Sequence, residues 1–552
     1  MVDCSIKRKS GSDTLEPPSV WTALKSPAYY RVATTVYRRR VFQAGIVRQI
    51  KDILIVGGGS AGWMTAALLS QLLGKLYRIR LVESEQIGTI GVGEATIPGI
   101  KRFNALLKID EDEFIRTTQG TFKLGIQFRD WWRKGESYVH SFGMIGQDLE
   151  WLRCHQYWLN ARERGTASDF GNYSINCVAA LNNKFMRADP KMSQSPLGHI
   201  AHAYHFDAGL YAAYLRGYAE QRGVERIEGK VVDVALDANS GEVRSITLDG
   251  GLTIAADFFI DCSGFRGLLI GEAMEVGYRD WQHWLPCDRA IAMPSARSAD
   301  VTPYTRATAH DAGWQWRIPL QHRTGNGHVY ASRFTDDDKA ETVLRANLDG
   351  DSEAEPVRLR FRTGRRDAFW HKNCVAVGLA AGFLEPLEST SLYLIQSAVL
   401  RLVHLLPDGD LDPAIVAEYN AQTIFEYERV RDFIILHYKA TERDDSPFWN
   451  YCRTMDVPDT LRHKIDLFAA NGYVFRENDE LFAEESWIQV FLGQGIVPRR
   501  HDPAVSIKSA AEIDKYLGDV ERVIAKCVGL MPAHADYIAR YCRAPMVEPA
   551  RT

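Results

Sequence analysis

Three glycines and one acid carry the first recognisable chemistry of this chain. Gly57, Gly59 and Gly62 match G-x-G-x-x-G directly after the apolar run Asp52-Ile-Leu-Ile-Val56. In that setting the first glycine permits a tight turn and the second lets a pyrophosphate approach the backbone. The third lets a helix pack on a strand. A helix opening at Ser60 and Ala61 turns its positive end toward those phosphates. Glu83 closes a second apolar run roughly 20 residues further on, where an acid can hold a ribose hydroxyl. Two later apolar runs also end in glycine loops, Phe258–Asp261 before Gly264 and Cys374–Val377 before Gly378. A long cofactor needs contacts at several strand ends, and there is one G-x-G-x-x-G with no second nicotinamide fingerprint. The pattern therefore favours FAD.

Other residues are ambiguous by type alone. Glu385 and Glu388 lie three residues apart, and spacing does not choose between a catalytic acid and a salt-bridged structural one. Trp314 and Trp316 fit core packing. Lys123, taken alone, reads as a solvated helix residue.

Motifs remove much of that ambiguity. They are Gly57-Gly-Gly-Ser-Ala-Gly-Trp-Met64, Gly91-Val-Gly-Glu-Ala-Thr-Ile-Pro98, Gly120-Thr-Phe-Lys123, Gly313-Trp-Gln-Trp-Arg-Ile-Pro319 and Phe383-Leu-Glu-Pro-Leu-Glu-Ser-Thr390. Through them the chain resembles the flavin-dependent tryptophan-halogenase family from about residue 50 to about residue 500. The resemblance implies that reduced FAD, delivered by a separate flavin reductase, works with oxygen and chloride or bromide to make hypohalous acid. Lys123 would guide that small, promiscuous oxidant, either as an ammonium donating to its oxygen or as an amine carrying the halogen. A lysine suits both roles because burial shifts its pKa readily. Glu388 would stabilise the cationic ring and take its proton. Thr390 and Ser391 match halide-holding positions. Trp314 and Trp316 match residues that shield the flavin. Gly93, Ala95, Gly378 and Leu387 join the glycine loop and Glu83 as cofactor contacts. An FAD-dependent aromatic hydroxylase is the alternative; it would share the fold without needing Lys123 or the tryptophan pair.

The same resemblance makes His140 and Phe142 one wall of an arene pocket, with Phe482 and Trp487 as further apolar contacts. Free-tryptophan members carry paired tyrosines and a glutamate for the charged ends of the amino acid. The matching stretch here, 471–487, is shorter and has Tyr473 alone. Unpaired buried charge is costly, so an indole-like arene is expected in preference to free tryptophan.

The elements that must position these groups predict an α/β fold. Its expected centre is a Rossmann-like, doubly wound FAD sheet of the flavin-monooxygenase type. A strand is expected at 79–83, and the helix between it and the first strand should bury Met64, Ala67, Leu68, Leu72 and Leu73 on one face. A β-rich insertion is expected near 224–261, where Asn239-Ser-Gly and Asp249-Gly-Gly mark turns. From 411 onward the spacing is helical, Ala414 to Tyr438 most clearly. The division is an extension over 1–49, an FAD core over 50–410 and a helical region over 411–552 covering the substrate pocket. The first fifty residues hold nine Lys/Arg against three acids and little periodicity.

Composition excludes several classes. With 552 residues and a net charge of −4 there is no basic excess for nucleic acid. Nine scattered cysteines without CxxC spacing suggest neither zinc nor a redox dithiol, and fit a cytoplasmic enzyme. The longest apolar run, Val375–Leu384, is half of a membrane span. A small aromatic substrate, halide and a reductase are the expected partners, and a homodimer is compatible with the resemblance.

Overall fold

The computed structural model describes residues 49–86, 93–407 and 409–545. The extension read over 1–49 falls almost wholly outside these residues, as do Gly91 and Val92 of the second motif.

A six-stranded sheet forms the centre, in the order Trp370–His371, Cys374–Ala376, Phe258–Asp261, Asp52–Val56, Arg78–Glu83 and Glu225–Glu228. All neighbours are parallel except the first pair, which is antiparallel. The three strands with glycine loops are thus adjacent, although more than 300 residues separate the outer two. Their carboxyl ends open at one sheet edge, where ligands of doubly wound sheets bind. These strands are buried on both faces and read as unbroken apolar runs for that reason.

The helix Ser60–Leu73 differs from the expected one-face pattern. Every residue from Gly62 to Ser70 is buried, whereas Leu72 is 40% exposed. The helix lies between Ala208–Glu220 and Ser391–Leu405, so its first two turns are enclosed on all sides and only its end meets solvent. The insertion is the expected meander, a three-stranded antiparallel sheet of Val231–Leu236, Val243–Leu248 and Thr253–Ala255.

A second, seven-stranded sheet carries the tryptophan motif on Gly313–Pro319, with Arg323–Tyr330 on one side and Thr305–His310 on the other. Gly125–Arg129 and Ser137–Ser141 extend it to the edge that bears His140. Lys123 sits on neither sheet. It ends the three-residue edge strand Thr121–Lys123, paired with Ala203–Asp207. Helices dominate from Pro413–Lys439 onward, and among the described residues no helix is long and apolar enough to cross a membrane.

Candidate functional site

A cleft of about 840 Å³ runs along the carboxyl ends of the central sheet. Gly57, Gly59, Ser60, Ala61, Glu83, Ala95, Gly378 and Leu387 line it, as do Trp314, Trp316 and Ser391. Gly62 packs beneath it, and Gly93 adjoins it on the strand Gly93–Ala95. Backbone geometry explains two of the glycines. Gly57 has φ +114, and a Cβ there would meet the Cys262 carbonyl oxygen at 2.2 Å; one on Gly62 would meet the Gly57 oxygen at 1.8 Å. At the far end Glu83 accepts from Trp63 Nε1 at 3.2 Å and from Arg226 Nε at 2.5 Å. A phosphate-sized approach to the helix end, a placed acid and an elongated cavity fit a flavin dinucleotide. Glu94, not singled out from the sequence, also lines the cleft. Burial, with Asp207 nearby, pushes its carboxyl up to about 7.

Lys123 and Glu388 lie behind the wall of this cleft, both fully buried. The Lys123 ammonium donates to Ser389 Oγ at 2.8 Å and stands 5.4 Å from the Phe142 ring centroid. Ser389 itself lines the cleft and has φ 58, a left-handed turn that ends the short helix Pro386–Glu388. One side chain therefore touches both the cleft and the lysine. Burial lowers the Lys123 pKa to about 7, opposed by the negative charge of Glu388. The reading of Lys123 as a solvated helix residue fails because its strand is enclosed on both faces.

The two candidate acids separate cleanly. Burial disfavours the Glu388 carboxylate, yet His140 and His437 outweigh that and hold its carboxyl down to about 2. His140 Nδ1 lies 2.9 Å from Oε2, and His437 Nε2 lies 2.8 Å from Oε1. Glu385 points elsewhere, accepting from Trp314 Nε1 at 3.1 Å and from the Tyr438 hydroxyl at 2.5 Å. It is the anchor of a tryptophan that lines the cleft, and burial pushes its carboxyl up to about 7. Because the folded value exceeds the ordinary 4.5, the bound proton stabilises the fold below about 4.5 and that contribution is lost as pH rises to about 7. Glu385→Gln keeps the acceptor and removes the proton, so its stability should fall less between pH 4.5 and 7 than that of the native protein in denaturant melts. Glu385→Ala leaves two buried donors unpartnered and should cost about 1–3 kcal/mol for each.

An aromatic cluster packs against the two histidines that hold Glu388. Phe482 stacks on Phe433 at 3.7 Å between centroids, and Trp487 meets Phe433 edge-on at 4.8 Å. His140 is 5.5 Å from Phe433. Gln489 pairs with the backbone of Ser141 in both directions, at 2.9 and 3.0 Å, and so fixes the Trp487 helix to the His140 strand. Three glutamates of the covering segment are engaged. Lys464 donates to Glu480 at 3.0 Å and stands 5.1 Å from the Trp487 ring centroid, while Glu484 and Glu485 pair with Arg153. Phe433 and His437 escaped the sequence reading, although they lie one turn apart on a helix whose periodicity was visible.

Thr390 caps the helix Ser391–Leu405 without a side-chain bond to its first amides, and its buried Oγ1 has no partner among the described residues. An open helix end beside the cleft suits an anion.

Known proteins show the same arrangement of sequence and fold. A family model described as tryptophan halogenase matches residues 52–510. The solved structure of Xcc4156, a flavin-dependent halogenase from Xanthomonas campestris, is 48% identical with a TM-score of 0.88, over 91% of this chain and all of that one. BrvH, a flavin-dependent halogenase from Brevundimonas sp. BAL3, is 46% identical with a TM-score of 0.86, over 90% of this chain and all of that one. Tryptophan 7-halogenase RebH of Lentzea aerocolonigenes is 35% identical over 529 residues, 89% of this chain and 98% of RebH.

Proposed function

The chain belongs to the tryptophan-halogenase family of flavin-dependent enzymes, and from that premise we propose that it halogenates a neutral indole-like arene, with FAD as the flavin, Lys123 as the guide of the halogen and Glu388 as the base. The observation that carries this reading is a chain of buried contacts: Lys123 bonds to Ser389, the neighbour of Glu388, and Glu388 is held by His140, whose ring lies beside Phe433. When bound, reduced FAD would supply the electrons with which oxygen converts halide into hypohalous acid. Its contacts are the glycine loop, Glu83, Gly93, Ala95, Gly378 and Leu387. The lone G-x-G-x-x-G supports delivery of the reduced flavin by a separate reductase, and unpatterned thiols support a cytoplasmic setting. Thr390 and Ser391 hold the halide at the open helix end.

Lys123 Nζ donates a proton to the oxygen of hypohalous acid, so that water leaves as the halogen bonds to the ring carbon. Glu388, held ionised by two imidazoles, stabilises the cationic ring and accepts the ring proton. Its low pKa does not prevent this, because a protonated arene is a much stronger acid. Trp314 and Trp316 exclude the substrate from the cleft itself.

The arene is neutral on this reading because Glu480, Glu484 and Glu485 are already paired. A buried ammonium or carboxylate of free tryptophan would go unmatched. With bromide, a reductase and equal concentrations of indole and tryptophan, bromoindole should exceed bromotryptophan by about tenfold or more, as mass spectrometry reads. A preference for tryptophan would overturn the substrate assignment and leave the lysine chemistry standing.

A further inference from the structure

The strand that bears Lys123 has an unusual problem, and a residue far along the chain answers it. Thr121–Lys123 is an edge strand three residues long, paired on one side only, with Phe122 opposite Tyr204 and Lys123 opposite Ala203. Its other side is buried, so outward amides there need partners that no strand supplies. The Leu124 amide finds the Pro303 carbonyl at 2.7 Å. Two residues earlier, the amide of Phe122 turns to the same side and bonds to a side chain instead. His534 fills the gap. Its Nε2 accepts from the Phe122 amide at 3.2 Å, and its Nδ1 donates to the Val301 carbonyl at 2.8 Å.

The two partners dictate the proton. A carbonyl only accepts and an amide only donates, so the ring must carry its hydrogen on Nδ1 and leave Nε2 bare. The imidazole thereby joins Phe122 and Val301 as a ladder bond would if the 301–303 segment ran close enough. The ring is fully buried, and burial lowers its pKa to about 4, which keeps it in the neutral form that the bridge requires.

His534 opens the helix His534–Tyr541, beyond residue 510 where the family match ends. The whole segment is stitched around the lysine strand. Tyr537 meets Phe122 edge-on at 5.6 Å, Gln321 donates to both Gly120 at 2.7 Å and Cys542 at 3.2 Å, and Gln119 donates to Pro545 at 2.9 Å. We infer that His534 is a positioning residue for the halogenation step: its neutral imidazole substitutes for a missing strand and sets the backbone height from which Lys123 reaches its target. This rests on Lys123 being the reacting lysine. Phe122 is the residue before it, and a displacement of about 1 Å at such a site costs about 10²-fold in rate.

The test compares His534→Leu, His534→Gln and Tyr537→Leu in the full-length, FAD-loaded enzyme with a reductase, bromide and indole. His534→Leu should lower kcat about 10- to 100-fold while the indole KM and FAD affinity stay unchanged. His534→Gln, whose amide can accept and donate at once, should recover kcat to within about threefold. Tyr537→Leu removes a ring contact with Phe122 but leaves the bridge to its amide in place, and should keep kcat within about threefold of native. If His534→Leu does not fold, His534→Asn, too short to span both partners, should show the loss. Native kcat in His534→Leu or in His534→Asn, equal losses in His534→Leu and His534→Gln, or an equal loss in Tyr537→Leu would overturn the inference. Retained halogenation by Lys123→Met would instead remove its premise.

Discussion

With a scavenger of free hypohalous acid present, Lys123→Met should reduce halogenated product by about 10³-fold or more while the protein binds FAD and melts no lower than the native enzyme. The two halves of this result come from one fact. Lys123 is fully buried, and burial is the chief reason its pKa falls to about 7. A buried ammonium costs the fold free energy that a methionine of similar length does not. Glu388 keeps His140 and His437 after the substitution, so no carboxylate is left alone. FAD contacts are spared because Lys123 does not line the cleft; only Ser389 Oγ loses a donor. Thermal unfolding, flavin titration and product mass spectrometry check the three parts.

Glu388→Gln should lose about 10²- to 10⁴-fold in rate and, unlike the lysine variant, should also lose stability. Removing one member of a buried charged cluster costs about 3–5 kcal/mol, because the others stay buried without their partner. It should also move the pH profile. Lys123 is protonated below about 7, so a donor ammonium makes product formation fall as pH rises through about 7. The charge of Glu388 favours that ammonium, and its removal lowers the lysine pKa further. The alkaline fall should therefore shift to lower pH in Glu388→Gln. Activity that rises through pH 7 would assign Lys123 the other role, an amine that carries the halogen.

The dinucleotide half of the fold was legible because its signals are local. Val56 to Gly62 declares a strand, a turn and a helix within a few residues, and the glycine loops at Gly264 and Gly378 could be grouped by type before their adjacency was known. Spacing did not separate the two acids. Glu385 and Glu388 differ by which helix face and which strand they meet, Tyr438 and Trp314 for one, His140 and His437 for the other. Those partners lie up to 248 residues away. Leu72 shows the opposite error, where helical spacing suggested a buried face but neighbouring helices enclosed the first turns and left the last exposed. His534 gave no sequence signal at all, since the need for it arises from an edge strand whose missing partner only tertiary packing reveals. The motifs singled out Lys123, which the structure buries on a strand, against its bland reading as a solvated helix residue, because they report a pattern of contacts rather than a helical or extended period.

The most direct measurement of the central claim follows where the oxidant goes. The native enzyme and Lys123→Met would each turn over with reductase, oxygen, bromide, indole and a soluble scavenger of hypobromous acid. The native enzyme should place bromine on indole with little in the scavenger. Lys123→Met should consume reduced flavin at the native rate and send its bromine to the scavenger. Equal bromoindole yields from the two proteins would contradict the account, because the halogen would then reach the ring without Lys123.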